Sequence, residues 1–307
     1  MVETFVTLWP DMPHYQRFSR HPLVKGIRLN TAMIDDTGLE DLLRSAKNIP
    51  RSAPIYFDIK GRQLRIVEVI PCGGDHLELE INHPIEVETP VPVLFKAGAD
   101  GALLIEVKNG TRLIFEGGPK FNLNIGESLC IRSKTLKVLG GLFTPQQLFY
   151  LDAALKAGID RYMLSYATSQ EEIEELKAVV GDVEIVAKIE NLAGLDYAKN
   201  KFQAIPNKLH LLTARGDLFV ELDMPHDILK ASKDLLKADP NAIVGSRILL
   251  SVTADPVPSC SDVNELAWLL DIGYRRFMFC DGLCLDGIAL DRALKILHTV
   301  AKSYLET

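Results

Sequence analysis

Positions 183–190 read VEIVAKIE, an apolar, β-branched run that ends in two opposite charges. In a strand, residues i and i+2 point to the same side, so Lys188 and Glu190 leave one face together after mostly apolar positions. A run that is apolar on both faces suits a parallel strand covered by helices on each side. Working outward, runs of the same character recur at 3–8, 24–30, 54–60, 161–166, 208–214, 241–249 and 275–280. Between most of them lie amphipathic stretches such as TGLEDLLRSAKN (37–48), PQQLFYLDAALKAG (145–158), SQEEIEELKAVVG (169–181) and VNELAWLLDIG (263–273). These have capping residues in front and Gly or Asn behind. A last helical pattern, LDRALKILHTVAKSYLE, occupies 290–306. Strand and helix alternating in this way predict an α/β chain folded as a (β/α)8 TIM barrel.

The rhythm breaks between about Ile66 and Val138. That segment has strand-like runs, the turn signals GGDH, AGADG, KNGT and EGGP, and no convincing helix. It is expected to form a small all-β lid domain, 66–138, inserted after the third barrel strand, with 1–65 and 139–307 forming the barrel.

The chain has 307 residues, 47% hydrophobic and 24% charged, which is enough for one large barrel or two domains with proper cores. A net charge of -7 without a Lys/Arg cluster argues against nucleic acid as a partner and favours a small-molecule substrate. The N-terminus, MVETFVTLWP, lacks a basic region followed by an apolar core, and the most apolar stretch, AIVGSRILLSV (242–252), is cut by Arg247. No run reaches the roughly 18 residues of a membrane span, so a cytoplasmic location is expected. Five cysteines at 72, 130, 260, 280 and 284 have no zinc-ligand spacing and read as reduced thiols.

Barrel enzymes carry their chemistry at the carboxyl ends of the strands. Strand two ends in Arg28 and Asn30, strand three in Asp58 and Lys60 with Arg65 following, and strand five in Lys188 and Glu190. Strand six leads into Arg215 and Asp217, and strand seven carries Ser246 and Arg247. A Lys-x-Glu at a strand end is by itself more often a solvated ion pair. The combination points further: Glu190 and Asp217 stand one βα unit apart and can share a Mg²⁺ that keeps several waters. Arg28 and Lys188 would then surround an anionic group.

These residues resemble the pyruvate kinase family. AKIEN (187–191) with Gly194, and ARGDLFVEL (214–222), match two of its signatures at the right separation. GIRLN (26–30) is similar to its second-strand motif and FDIKGRQLR (57–65) to its third. GADGALLIEV (98–107) resembles its lid turn, DPVPS (255–259) its proline-rich loop, and RFMFC (276–280) its eighth strand. The resemblance implies Mg²⁺- or Mn²⁺-dependent phosphoryl transfer between phosphoenolpyruvate and ADP, giving pyruvate and ATP. It implies Glu190 and Asp217 as metal ligands, Lys188 at the transferring phosphoryl and the enolate, and Arg28 on the phosphate. Asn30 and Asp58 would help bind K⁺, and Ser246 would stand near the site of enolate protonation. Backbone amides around Arg215, Gly216 and Asp217 would receive the substrate carboxylate, and Lys60 and Arg65 would lie toward the nucleotide.

The departures are specific. Ala32 replaces a serine of the K⁺ site, leaving that site incomplete, and Ile59 replaces a threonine. Arg62 stands for a proline, and Phe219 and Trp9 for glycines. The motif expected where the lid rejoins the barrel is not recognisable in CIRSKTLKVLGG (130–141), and SYATSQEE (165–172) lacks the expected arginine. PSCSDVNELAW (258–268) is a poor copy of the segment that supports subunit contacts, so a homo-oligomer is possible but the usual tetramer is not implied. The C-terminal regulatory domain typical of the family has no counterpart in the sequence, and effector control of that kind is not expected. Two alternatives stay open: a metal-dependent lyase acting on an enolpyruvate or 2-oxo acid, and a phosphoenolpyruvate-binding protein without turnover.

Overall fold

All eight apolar runs become strands, and the strands close on themselves. Residues 2–34, 38–70 and 76–305 are described by a computed structural model. The barrel strands are Glu3–Thr7, Val24–Asn30, Ile55–Ile59, Arg161–Leu164, Glu184–Ile189, Leu209–Ala214, Ile243–Gly245 and Arg276–Met278. Each pairs in parallel with its neighbours in the chain, and Arg276–Met278 closes on Glu3–Thr7. Alternation along the strands fills the barrel with Phe5, Tyr56, Met163, Val186, Leu212, Ile243 and Met278. The outward residues, such as Val6, Ile27, Phe57, Leu164 and Ile185, pack against the helices.

The amino end of the barrel is sealed by ion pairs that hold the strands together. Tyr56 Oη donates to Glu184 Oε1 at 2.9 Å, Arg161 Nε to Glu184 Oε2 at 3.0 Å, and Arg276 Nε to Glu3 Oε2 at 3.0 Å.

The helices begin where caps are available. Thr144 accepts from the Gln147 amide while Gln147 reaches back, opening Pro145–Lys156, and Ser169 and Ser259 cap Gln170–Val180 and Cys260–Ile272. Asn191, the last letter of AKIEN, caps Leu192–Asn200 by accepting from the Gly194 amide at 2.7 Å. A Cβ on Gly194 would lie 2.6 Å from the Ala167 carbonyl oxygen, so the close approach of this helix requires glycine.

Three strand assignments are too long: the eighth run, 275–280, is a strand only over Arg276–Met278, and the other two end where the backbone turns. The seventh run stops at Gly245 rather than 249, because Ser246, Arg247 and Leu249 take φ of +70°, +60° and +54°. Ile248 and Leu249 are buried off the sheet, and an apolar pattern does not distinguish that burial from a continuing strand. The fourth run stops at Leu164, ahead of Tyr166 at φ +53°.

The segment between the third and fourth barrel strands forms a six-stranded antiparallel sheet. In spatial order it runs Leu129–Ile131, Val91–Phe95, Asp100–Lys108, Arg112–Glu116, His76–Ile81 and Ile66–Ile70. It has its own core of Ile66, Leu79, Val93, Phe95, Leu104 and Phe115. Asn109 and Gly110, both at positive φ, make the hairpin turn signalled by KNGT. Cys72 and positions 73–75 of the GGDH signal lie outside the described residues. The cysteines at 130, 260, 280 and 284 are free thiols. The sheet meets the barrel where Arg132 Nη2 donates to the Leu222 carbonyl at 2.7 Å, and where His83 and Gln147 both donate to the Gly61 carbonyl at 3.0 Å. Among the described residues no helix is long and apolar enough to cross a membrane.

Candidate active site

The carboxyl ends of the strands gather the charges that the sequence leaves at the end of each run. At their centre is Asp58, the fourth residue of the third strand, with no exposed side-chain area. Its Oδ2 accepts from Arg28 Nε at 2.7 Å, Lys60 Nζ at 3.0 Å and Lys188 Nζ at 3.2 Å, and its Oδ1 from Ser165 Oγ at 2.9 Å. Burial alone would raise its pKa, but Lys188, Lys60 and Arg28 together hold the carboxyl well below the usual range. For Lys60 burial wins instead, pushing it down to about 7 against the pull of Asp58.

Lys188 and Glu190 do leave the fifth strand on one side. Lys188 Nζ lies 3.1 Å from Glu190 Oε1 and donates to Ser165 Oγ at 2.6 Å, while Glu190 Oε2 accepts from the Tyr166 amide at 2.8 Å. Asp217 enters from the helix Arg215–Glu221 that follows the sixth strand. Burial, and then the neighbouring Glu190 carboxylate, push Asp217 up to about 6. Asp217 reaches Glu190 at hydrogen-bonding range, close enough for the two carboxyl groups to share a cation. Their hard oxygen donors suit Mg²⁺ or Mn²⁺ with water completing the shell. Among the described residues no group of three or more His, Cys, Asp or Glu gathers for a metal, so the protein would supply this pair and little else.

A cavity of about 190 Å³ opens over the pair, lined by Arg28, Asn30, Lys60, Arg65, Lys188, Glu190, Asp217 and Ser246. It joins residues from six strand ends and the base of the lid, where Ser128 also contributes to the wall. Arg65 is tethered: its Nε and Nη2 donate to Gln63 Oε1 at 3.1 and 2.6 Å, and its Nη1 to the Gly126 carbonyl at 2.5 Å. Ser246 sits against Gly216, where an added Cβ would meet its Oγ at 3.3 Å. A larger cavity of about 730 Å³ lies to one side, between Leu129 and Ile131 of the lid and Tyr166, Leu192 and Glu221 of the barrel. The charges gathered at the strand ends line the smaller one.

Two expected residues, Asn30 and Asp58, are engaged otherwise than the resemblance implies, and a third, Arg215, was expected only through its backbone. Arg215 turns its side chain away, donating to Glu265 Oε1 at 2.8 Å and the Ser246 carbonyl at 2.9 Å, so only its backbone remains at the site. Asn30 Oδ1 accepts from the Ala32 amide at 3.2 Å and Nδ2 donates to Asp281 Oδ2 at 2.9 Å. Every carboxylate oxygen of Asp58 already faces a cation. Asn30 and Asp58 with Ala32 therefore do not fit a K⁺ ion in this arrangement, and no step is assigned to one.

Three further residues that no sequence motif marks reach the site. Asp281 immediately follows RFMFC and accepts from both Arg28 and Asn30. Ser165 opens SYATSQEE and bridges Lys188 to Asp58. Thr7, the last residue of the first strand, accepts from Arg28 Nη1 at 3.2 Å. Position at or just past a strand end was the available signal for all three.

No protein-family model matches the chain. Among curated proteins it is 24% identical over 258 residues to the pyruvate kinase of Thermoplasma acidophilum, covering 78% of this chain and 46% of that protein. It is also 24% identical over 311 residues to the pyruvate kinase of Borreliella burgdorferi, covering 91% of this chain and 62% of that one. Along most of its length the chain is thus similar in sequence to curated pyruvate kinases. It spans about half to three-fifths of the length of these relatives. The fold agrees with solved structures of pyruvate kinases from Cryptosporidium parvum, with a TM-score of 0.77 at 16% identity over 99% of this chain and 71% of that one, and from Pyrobaculum aerophilum, with 0.75 at 14% over 98% and 73%.

Proposed function

We propose that the chain binds phosphoenolpyruvate or pyruvate beside a divalent cation held by Glu190 and Asp217, and transfers the phosphoryl group between phosphoenolpyruvate and ADP. The observation that carries this reading is the pairing of the buried Glu190 and half-buried Asp217 carboxylates with the Lys188 ammonium 3.1 Å from the first. A bound Mg²⁺ or Mn²⁺ would supply Lewis-acid stabilisation of negative charge on substrate oxygens. Lys188, fixed by Ser165 and Asp58, places a second positive charge where enolate and phosphoryl oxygens gather charge, and catalysis of this class is mainly positioning and electrostatics. The Ser246 hydroxyl faces the same cavity and can hold a proton near the enol carbon. The amides of Gly216 and Asp217, at a helix start, can receive the carboxylate. Lys60 and Arg65 line the side nearest the lid, where a nucleotide phosphate would be met.

A coupled assay with phosphoenolpyruvate, ADP and Mg²⁺ tests this directly. Turnover that depends on metal and on Lys188 supports it; pyruvate release without nucleotide transfers support to a lyase. A phosphate-free reaction has one observation in its favour, the capture of Arg28 by two carboxylates. Metal-dependent stabilisation by phosphoenolpyruvate without turnover would leave a binding protein.

A further inference from the structure

Arg28 is the cation best suited to a bidentate grip on phosphate, yet most of its donors are already committed. Nε and Nη2 face Asp58 Oδ2 at 2.7 and 2.5 Å, and Nη1 is divided between Thr7 Oγ1 and Asp281 Oδ1 at 3.2 and 2.9 Å. Of the two carboxylates, Asp58 is sealed, whereas the Asp281 side chain is 39% exposed and lines the cavity. The backbone of Asp281 is fixed at the start of the short helix Asp281–Cys284: the Leu285 amide donates to its carbonyl at 3.0 Å, and the Thr7 amide reaches Cys284 Sγ at 3.3 Å. Only its two side-chain torsions are free to move. Its second oxygen is held by Asn30 Nδ2. Asp281 thus sits where an incoming anion would reach the strand-two pair.

We infer that Asp281 is a specificity-determining residue that competes with incoming phosphoryl groups for Arg28 and Asn30, and so sets how tightly the site holds phosphorylated substrates relative to phosphate-free dianions of the 2-oxo acid and enolate class. This rests on the metal site proposed above and deepens it. Counted by formal charge, the cations at the site balance its carboxylates one for one when Asp281 is included. A divalent ion then leaves an excess that a dianion neutralises. Phosphoenolpyruvate brings about one charge more, since its phosphate is mostly doubly ionised near neutral pH. Binding it requires either displacing Asp281 from Arg28 or crowding a third carboxylate-class charge against it.

The test is Asp281→Asn, which keeps the shape and an oxygen for Asn30 but removes the charge, with Asp281→Ser as a second variant. Binding of oxalate and of phosphoenolpyruvate is measured calorimetrically on the full chain in saturating Mg²⁺, and binding of inorganic phosphate in EDTA. Both variants should bind phosphoenolpyruvate and phosphate more tightly than wild type, by on the order of tenfold or more, with oxalate affinity nearly unchanged. Unchanged or weakened phosphate binding in variants that melt like wild type would overturn the inference. If oxalate fails to bind wild type in Mg²⁺, the metal-site reading falls by itself, and the phosphate measurement, which needs no metal, still decides on Asp281.

Discussion

Replacing Asp217 by asparagine should make the metal-free protein more stable at neutral pH while destroying its response to Mg²⁺. The carboxyl ordinarily titrates at 3.8, and burial beside Glu190 lifts it to about 6 in the folded chain. The sign follows from proton binding. Between those values the folded state holds a proton that the unfolded state has released, so stability is full below the lower value and is lost as pH rises through the upper. At about 1.4 kcal/mol per pKa unit, the penalty at pH 7.5 is on the order of 2–4 kcal/mol. Asparagine removes the charge, keeps the size and can donate to Glu190. Urea unfolding in EDTA at pH 7.5 should therefore show Asp217→Asn above wild type by that order, with the gap closing by pH 4.5. Adding Mg²⁺ should raise wild type by RT ln(1 + [Mg]/Kd) and leave the variant unmoved. A variant less stable than wild type in EDTA at pH 7.5, or equally stabilised by Mg²⁺, would refute the convergence of the two carboxylates.

Lys188→Met should lower phosphoryl transfer by at least about 10²-fold while Mg²⁺ still stabilises the protein, as read by the coupled assay and a melting curve. Gly194→Ala should destabilise by about 1–3 kcal/mol, because its Cβ would meet the Ala167 carbonyl at 2.6 Å; an unchanged unfolding midpoint contradicts that packing. Tyr56→Phe loses the hydrogen bond to Glu184 at the amino end of the barrel and should cost about 0.5–1.5 kcal/mol by denaturation, with ligand affinities unaltered.

The barrel was legible because burial on both faces imposes a composition on each strand, and composition survives even where individual residues change. Lys188 and Glu190 were legible for the same reason in reverse: charges at the end of an apolar run are expensive unless something uses them. The seventh strand shows the limit. Ile248 and Leu249 satisfy the apolar pattern equally well in a strand or in the turn that follows Gly245, where Ser246, Arg247 and Leu249 are left-handed, and periodicity carries no information on φ. Asp281 shows a second limit. One residue past the eighth strand it reads as an ordinary helix-start aspartate, and only the closure of the barrel reveals that the position beyond strand eight faces the end of strand two.

That closure also explains why similar ion pairs serve different ends of one molecule. At the amino end, Glu184 is satisfied by Arg161 on the adjoining strand and by Tyr56 one strand further, and Glu3 by Arg276 on its neighbour, so these contacts fasten strand to strand. At the carboxyl end, Asp58 takes three cations while Glu190 and Asp217 stand side by side with less than they need, which is why Asp217 rises and Asp58 falls. A set of charges balanced in sum but separated in space has a region that attracts a cation and a region that attracts an anion, a few ångströms apart. Such a division suits a metal-bound oxyacid, and Asp281 sets how much anion the second region accepts.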